Sequence, residues 1–188
     1  MKVTGGFLRS RRIVSSKTLD LRPTSNKVKQ ALFNTLLHRY TESKNFEKFR
    51  VLEPFGGTGA ISIEAISRGA FKAKIIEKDK KNFLACLKNI NLLNLTDRID
   101  LINADFFKIN LCNSKFNFFY VDPPYNSNLI NRTLEKILDE KAFDKKNIFV
   151  CESEKNHLFK DNYKKYFKSQ KTYGKSNLSF FILSSSTK

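Results

Sequence analysis

The sequence predicts an α/β protein, a doubly wound, mostly parallel sheet with an antiparallel last strand, preceded by a basic arm and a helix. Three observations support this. From Arg50 onward short apolar runs alternate with segments of helical spacing, a rhythm that needs crossover connections and a parallel sheet with helices on both faces. A glycine cluster, Gly56-Gly57-Thr58-Gly59, lies between the first run and the first helical segment, where such folds bind ligands. Near the end, Tyr163–Tyr173 and Leu178–Leu183 flank Gly174-Lys175-Ser176-Asn177 and predict an antiparallel hairpin.

Residues 1–22 form an irregular or hairpin-like arm in which Gly5-Gly6 permits a turn. Thr24 or Ser25 caps a helix after Pro23, and Val28, Ala31, Leu32 and Leu36 carry its apolar face to about Tyr40. Strands follow at Val51-Leu52, Ala73–Glu77, Ile99–Ile102, Phe116–Val121 and Ile148–Cys151, with helices near 60–69, 79–93 and 128–140. The expected organisation is a basic arm and helix over residues 1–42 and a catalytic domain over 43–188.

Of the 188 residues 40% are hydrophobic, with 18 Phe and 6 Tyr, which excludes a disordered chain. No apolar stretch suits a signal peptide or a membrane span, so a cytoplasmic protein is expected. Three cysteines without C-x-x-C spacing and two distant histidines argue against a disulfide framework or a metal site. The formal net charge is +17, and it is unevenly placed. Residues 1–50 carry 12 Lys and Arg against 3 acids, residues 51–150 are nearly balanced, and residues 151–188 carry 8 against 3. Arg9, Arg11, Arg12 and Arg22 concentrate in the arm and point to a polyphosphate partner.

Glu53-Pro54-Phe55-Gly56-Gly57-Thr58-Gly59 places glycine where backbone must approach a ligand, and Glu77 ends the next strand 20 residues after Gly57. At about that spacing an acid accepts the ribose hydroxyls of a nucleoside cofactor. The glycines do not follow the dinucleotide pattern G-x-G-x-x-G; the E-x-F-x-G-x-G arrangement resembles the first motif of S-adenosylmethionine-dependent methyltransferases, with Glu53 toward the cofactor's ammonium. That likeness implies that Asp105, after the third strand, contacts the adenine amine. Gly57, Gly59 and Glu77 with Phe55, Lys78 and Phe106 complete the expected cofactor contacts.

Asp122-Pro123-Pro124-Tyr125 follows the buried run ending at Val121. An exocyclic amine is a poor nucleophile because its lone pair is delocalised into the base. A carboxylate from Asp122 and a backbone carbonyl fixed by Pro123 can accept its two N–H bonds and localise that pair, while Tyr125 stacks on an extruded base.

With these residues assembled, the chain resembles the bacterial 16S rRNA guanine-N2 methyltransferases nearly end to end. The resemblance is carried by Gly5-Gly6-Phe7 with Arg11-Arg12, by Leu21-Arg22-Pro23-Thr24-Ser25, by the glycine loop, by Glu64–Ala70, by Asp122–Tyr125 and by Tyr173–Phe180. It implies a Rossmann-like class I methyltransferase fold, S-adenosylmethionine as cofactor, and N2-methylation of a guanine in 16S rRNA of the small ribosomal subunit by a monomer without a metal. Glu53-Pro54-Phe55 is also similar to DNA adenine-N6 methyltransferases, so adenine-N6 methylation of DNA or RNA is the alternative. Only 16 residues separate Asp105 from Asp122, too few for a DNA-recognition insert. A non-catalytic RNA-binding protein is the third reading.

Overall fold

The computed structural model describes residues 1–14, 25–41, 45–124 and 128–184. Its contacts define two units, Met1–Phe106 and Phe107–Lys188.

In the first unit the arm folds back on itself: Lys2 and Arg12 form an antiparallel bridge, and Ser10 N donates to Val3 O at 2.9 Å. Val3, Leu8 and Ile13 are buried while Arg9, Arg11 and Arg12 point outward. The turn is seated on the end of a helix. Gly6 has φ +75°, and a Cβ there would lie 1.7 Å from the carbonyl oxygen of Ser67, so only glycine fits. Phe7 N donates to that carbonyl, Leu8 N to the Ser67 hydroxyl, and the hydroxyl to Gly5 O.

Helix α1, Asn26–Arg39, begins at Ser25, whose side chain accepts from Val28 N at 3.2 Å. Lys29, Leu32, Phe33 and Leu36 recur at helical spacing and are fully buried. Strands β1 (Arg50–Glu53), β2 (Lys72–Glu77) and β3 (Ile99–Asn103) pair in parallel in the order β3-β2-β1. Helix α2, Ala60–Ser67, is buried on every face, as its sequence Ala-Ile-Ser-Ile-Glu-Ala-Ile-Ser suggests. Helix α3, Lys80–Leu92, starts at Asp79, which accepts from Asn82 N.

One polar cluster ties arm, α1 and α2 together. The wholly buried Glu64 carboxylate accepts from Thr4 N and Thr4 Oγ1, each at 2.7 Å, and from Arg68 Nε at 2.8 Å, with Lys29 Nζ 3.6 Å away. Lys29 Nζ also donates to Lys2 O at 2.6 Å. Burial, only partly offset by Glu64, lowers the Lys29 pKa.

The second unit holds β4 (Phe116–Val121), α4 (Leu129–Asp139), β5 (Phe143–Glu154), β6 (Phe167–Tyr173) and β7 (Ser176–Phe181), with strand order β4-β5-β7-β6. β4 and β5 are parallel, whereas β7 runs against both β5 and β6, as the hairpin signal predicts. The sequence differs from the structure at two places. β5 begins five residues before the expected Ile148 and absorbs a bulge opposite Phe116/Phe118. The expected start of β6 is a 3-10 turn over Asp161–Tyr166. No helix among the described residues is long and apolar enough to cross a membrane, and none of their His, Cys, Asp and Glu side chains gather in a metal-holding group.

Candidate active site

The glycine loop leaves β1 and enters α2. Gly59, with φ +74°, occupies the N-cap of α2 and has no side chain to satisfy the helix's first N–H groups. Glu53, at the end of β1, takes over that role. Its Oε2 accepts from Ser62 N at 3.0 Å and from Ser62 Oγ at 2.5 Å, and the residue is only 3% exposed. A Cβ on Gly59 would stand 2.6 Å from the Cys86 sulfur, which packs the loop against α3.

Burial pushes the Glu53 carboxyl up from 4.5 to about 7; the Ser62 bonds pull against this and the charge of Glu77 adds to it. The folded chain therefore holds this proton more tightly than the unfolded chain. The resulting stabilisation is complete below the ordinary glutamate pKa and is lost as pH rises through about 7. We expect urea midpoints to fall between pH 5 and pH 8, with Glu53→Gln removing up to about 3 kcal/mol of that dependence. Equal slopes in the two proteins would contradict this role. Glu77 is raised in the same direction by burial, so a residual slope remains in the variant.

Glu77 closes β2 beside the loop. One oxygen accepts from Gly57 N and the other from Asp79 N, both at 2.7 Å. A carboxylate offers about four acceptor positions; backbone bonds from Gly57, Asp79 and Lys78 fix its orientation, and the remaining capacity can accept a ribose hydroxyl. This chemistry fits a nucleoside. Asp105 follows β3 and is half-buried, its Oδ2 2.9 Å from Lys78 Nζ. Lys78 is 77% exposed, and an ion pair so open to water adds little stability. The rings of Phe55 and Phe106 lie 6.1 Å apart between centroids. The unit thus brings Glu53, Phe55, Gly57, Gly59, Glu77, Lys78, Asp105 and Phe106 to the carboxyl ends of three parallel strands and the segments that follow them.

The loop is also held from the arm's side. The buried Asn89 of α3 donates from Nδ2 to Thr58 O and to Val14 O, both at 3.0 Å, and accepts Val14 N at 2.8 Å. Neither Asn89 nor Glu64 stood out in the sequence as a site residue. Glu64–Ala70 matched the family without an assigned role, and Asn89 gave no signal because its partners lie 31 and 75 residues away.

In the second unit Asp122 and Pro123 follow β4 at its carboxyl end, Asp122 half-buried and Pro123 buried. Burial raises the Cys151 thiol pKa, and the charge of Asp122 adds to that. Tyr125 and Arg22 lie outside the described residues. An acceptor carboxylate after a buried strand, on a backbone stiffened by two prolines, can hold an amine's N–H bonds without serving as a strong base.

A model of the family described as conserved hypothetical protein 95 matches residues 1–182. The ribosomal RNA small subunit methyltransferase D of Buchnera aphidicola subsp. Acyrthosiphon pisum is 35% identical over 150 residues, 79% of this chain and 74% of the relative. Among solved structures, a candidate methyltransferase of Escherichia coli, yhhF, matches with a TM-score of 0.80 at 24% identity over 98% of both chains. An RNA methyltransferase from Salinibacter ruber, solved with S-adenosyl-L-homocysteine, matches with a TM-score of 0.62 at 16% identity over 85% of this chain and 92% of that one. The structural likenesses show the fold, the Rossmann-like α/β architecture of class I methyltransferases.

Proposed function

The chain belongs to the conserved hypothetical protein 95 family, that of the ribosomal RNA small subunit methyltransferases D, and from that premise we propose that it methylates the exocyclic N2 of a guanine in 16S rRNA, within the small ribosomal subunit. The cofactor of this family is S-adenosylmethionine. The observation that carries the reading is Asp122-Pro123 at the carboxyl end of β4, an acceptor pair suited to an amine.

When bound, S-adenosylmethionine supplies an electrophilic methyl group, and its sulfur keeps the electron pair of the broken C–S bond. The protein's part is to hold and polarise. Glu53 fixes the loop at α2, so that Gly57 and Gly59 would let the backbone approach the cofactor, and Glu77 and Asp105 would accept from its ribose and adenine. Asp122 and the Pro123 carbonyl accept the two N–H bonds of the target amine and turn its lone pair toward the methyl group. Once the N–C bond forms, the nitrogen is acidic and releases its extra proton along the Asp122 hydrogen bond to water. Tyr125 stacks on the extruded base.

The test is incubation of the protein and tritiated S-adenosylmethionine with small subunits, naked rRNA and DNA, followed by nucleoside analysis. N2-methylguanine from small subunits is expected; N6-methyladenine would overturn the reading. Such a substrate places the reaction in the cytoplasm.

Arg9, Arg11 and Arg12 are exposed on an arm whose backbone is fixed, and we assign them to RNA phosphates together with Arg22. Neutralising the first three should raise the KM for small subunits and flatten its salt dependence by up to about 3 in log–log slope, leaving cofactor affinity unchanged. Methylation across a salt series measures this, and an unchanged slope would remove the arm from the RNA contact.

A further inference from the structure

We propose that Glu152 reads the N1–H edge of the target base beside Asp122 and so sets the choice of guanine over adenine. The inference rests on the guanine-N2 reading above and gives that site its base specificity.

The register of β4 on β5 pairs Tyr120 with Val150 and Val121 with Cys151, so the next residues in line are Asp122 and Glu152. Strand alternation then places Tyr120, Asp122, Val150 and Glu152 on one face. The Tyr120 hydroxyl donates to Glu152 Oε2 at 2.9 Å, a bond buried on both sides. Glu152 itself is 8% exposed, and among the described residues no lysine, arginine or histidine forms an ion pair with it. A carboxyl group so placed is costly to keep where an apolar side chain would pack as well. A donor brought by a ligand accounts for it.

Guanine supplies that donor. Its N1–H lies next to the N2 amine and points the same way, so two neighbouring acceptors can read the pair. If Asp122 and the Pro123 carbonyl hold the amine, the adjacent carboxylate of Glu152 meets N1–H. Adenine presents its amine beside a bare N1 lone pair, which the same carboxylate repels. Tyr120 orients Glu152, and its own ring is buried in the strand core.

The discriminating substrate is a small subunit reconstituted with rRNA carrying 2-aminopurine at the methylated position, since this base keeps the N2 amine but has a lone pair at N1. The wild-type enzyme should prefer guanine by about 100-fold or more in kcat/KM, as sites with buried acceptors reject analogues that leave them unpaired. The amide of Glu152→Gln can turn its NH2 toward N1. The guanine rate should then fall about 10-fold while the 2-aminopurine rate rises, collapsing the preference. Tyr120→Phe, which leaves the carboxyl but frees it, should give an intermediate preference. Cofactor affinity of each variant should match the wild type, whereas Tyr120→Phe, which leaves the buried Glu152 carboxyl without its hydroxyl donor, should lower the melting temperature. Equal losses on both bases, or no change on either, would overturn the assignment and leave Glu152 a structural residue. Nucleoside analysis of the wild-type product separates the two claims: N2-methylguanine with an unchanged preference overturns the role of Glu152 alone, and N6-methyladenine overturns both.

Discussion

Replacing Asp122 by Ala is expected to lower methyl transfer about 10²- to 10³-fold while cofactor affinity stays near that of the wild type. The reasoning is local. Asp122 stands at the carboxyl end of a buried strand, on a backbone that Pro123 and Pro124 keep from rearranging. Removing the carboxylate takes away an acceptor whose interaction strengthens as the amine nitrogen develops positive charge, so the loss falls on kcat. Asp122→Asn keeps one oxygen acceptor and should retain more activity than the alanine variant. Single-turnover methylation of small subunits, with calorimetric titration of the cofactor, separates the two effects. Near-normal turnover in Asp122→Ala would exclude the proposed mechanism.

The largest expected effect on stability comes from Glu64→Ala. The change leaves the Lys29 ammonium buried at 0% exposure with only a backbone carbonyl in reach, and it leaves Thr4 N without its acceptor, while Arg68 keeps its bond to Thr4 Oγ1 and its place over the Phe33 ring. Breaking a buried pair on one side costs about 3–5 kcal/mol, a large share of the roughly 5–15 kcal/mol that stabilises an ordinary domain. Urea denaturation should show that loss. The double variant Glu64→Leu with Lys29→Met, which removes both charges, should recover much of it. A single-variant loss below about 1 kcal/mol would mean that the cluster is hydrated in solution.

The strands and helices were legible because their signals are local. Ser25 and Asp79 cap the helices they precede, the apolar face of α1 repeats every three or four residues, and Phe116–Val121 is a strand with the expected bounds. β5 was harder to read: Asp144-Lys145-Lys146-Asn147 looks like a loop, yet it continues the strand past a bulge. The strand expected from Tyr163 begins only at Phe167, because Tyr163–Tyr166 belongs to a 3-10 turn whose two tyrosines, three residues apart, are both buried. At the site, residue types and order along the chain were legible, but side-chain partners were not. Glu53 lies in the expected motif, and that its carboxylate caps α2 through Ser62 depends on the loop's path. Glu152 drew no attention because its partner Tyr120 is 32 residues away, on the neighbouring strand.

The seating of the arm on Ser67 and Glu64 bears on how tightly a partner can be held. A floppy basic tail must give up about 1–2 kcal/mol of backbone freedom for every residue it fixes on a ligand. Here the bridge between Lys2 and Arg12, the Gly6 turn and the Thr4–Glu64 bonds have already removed that freedom during folding. Three guanidinium groups are thus displayed on a rigid surface, and a polyanion that matches their spacing needs to order only their side chains. If the arm grips RNA as proposed, it would favour a partner of fixed shape over a flexible strand of equal charge, and that discrimination would be geometric and precede any reading of a base.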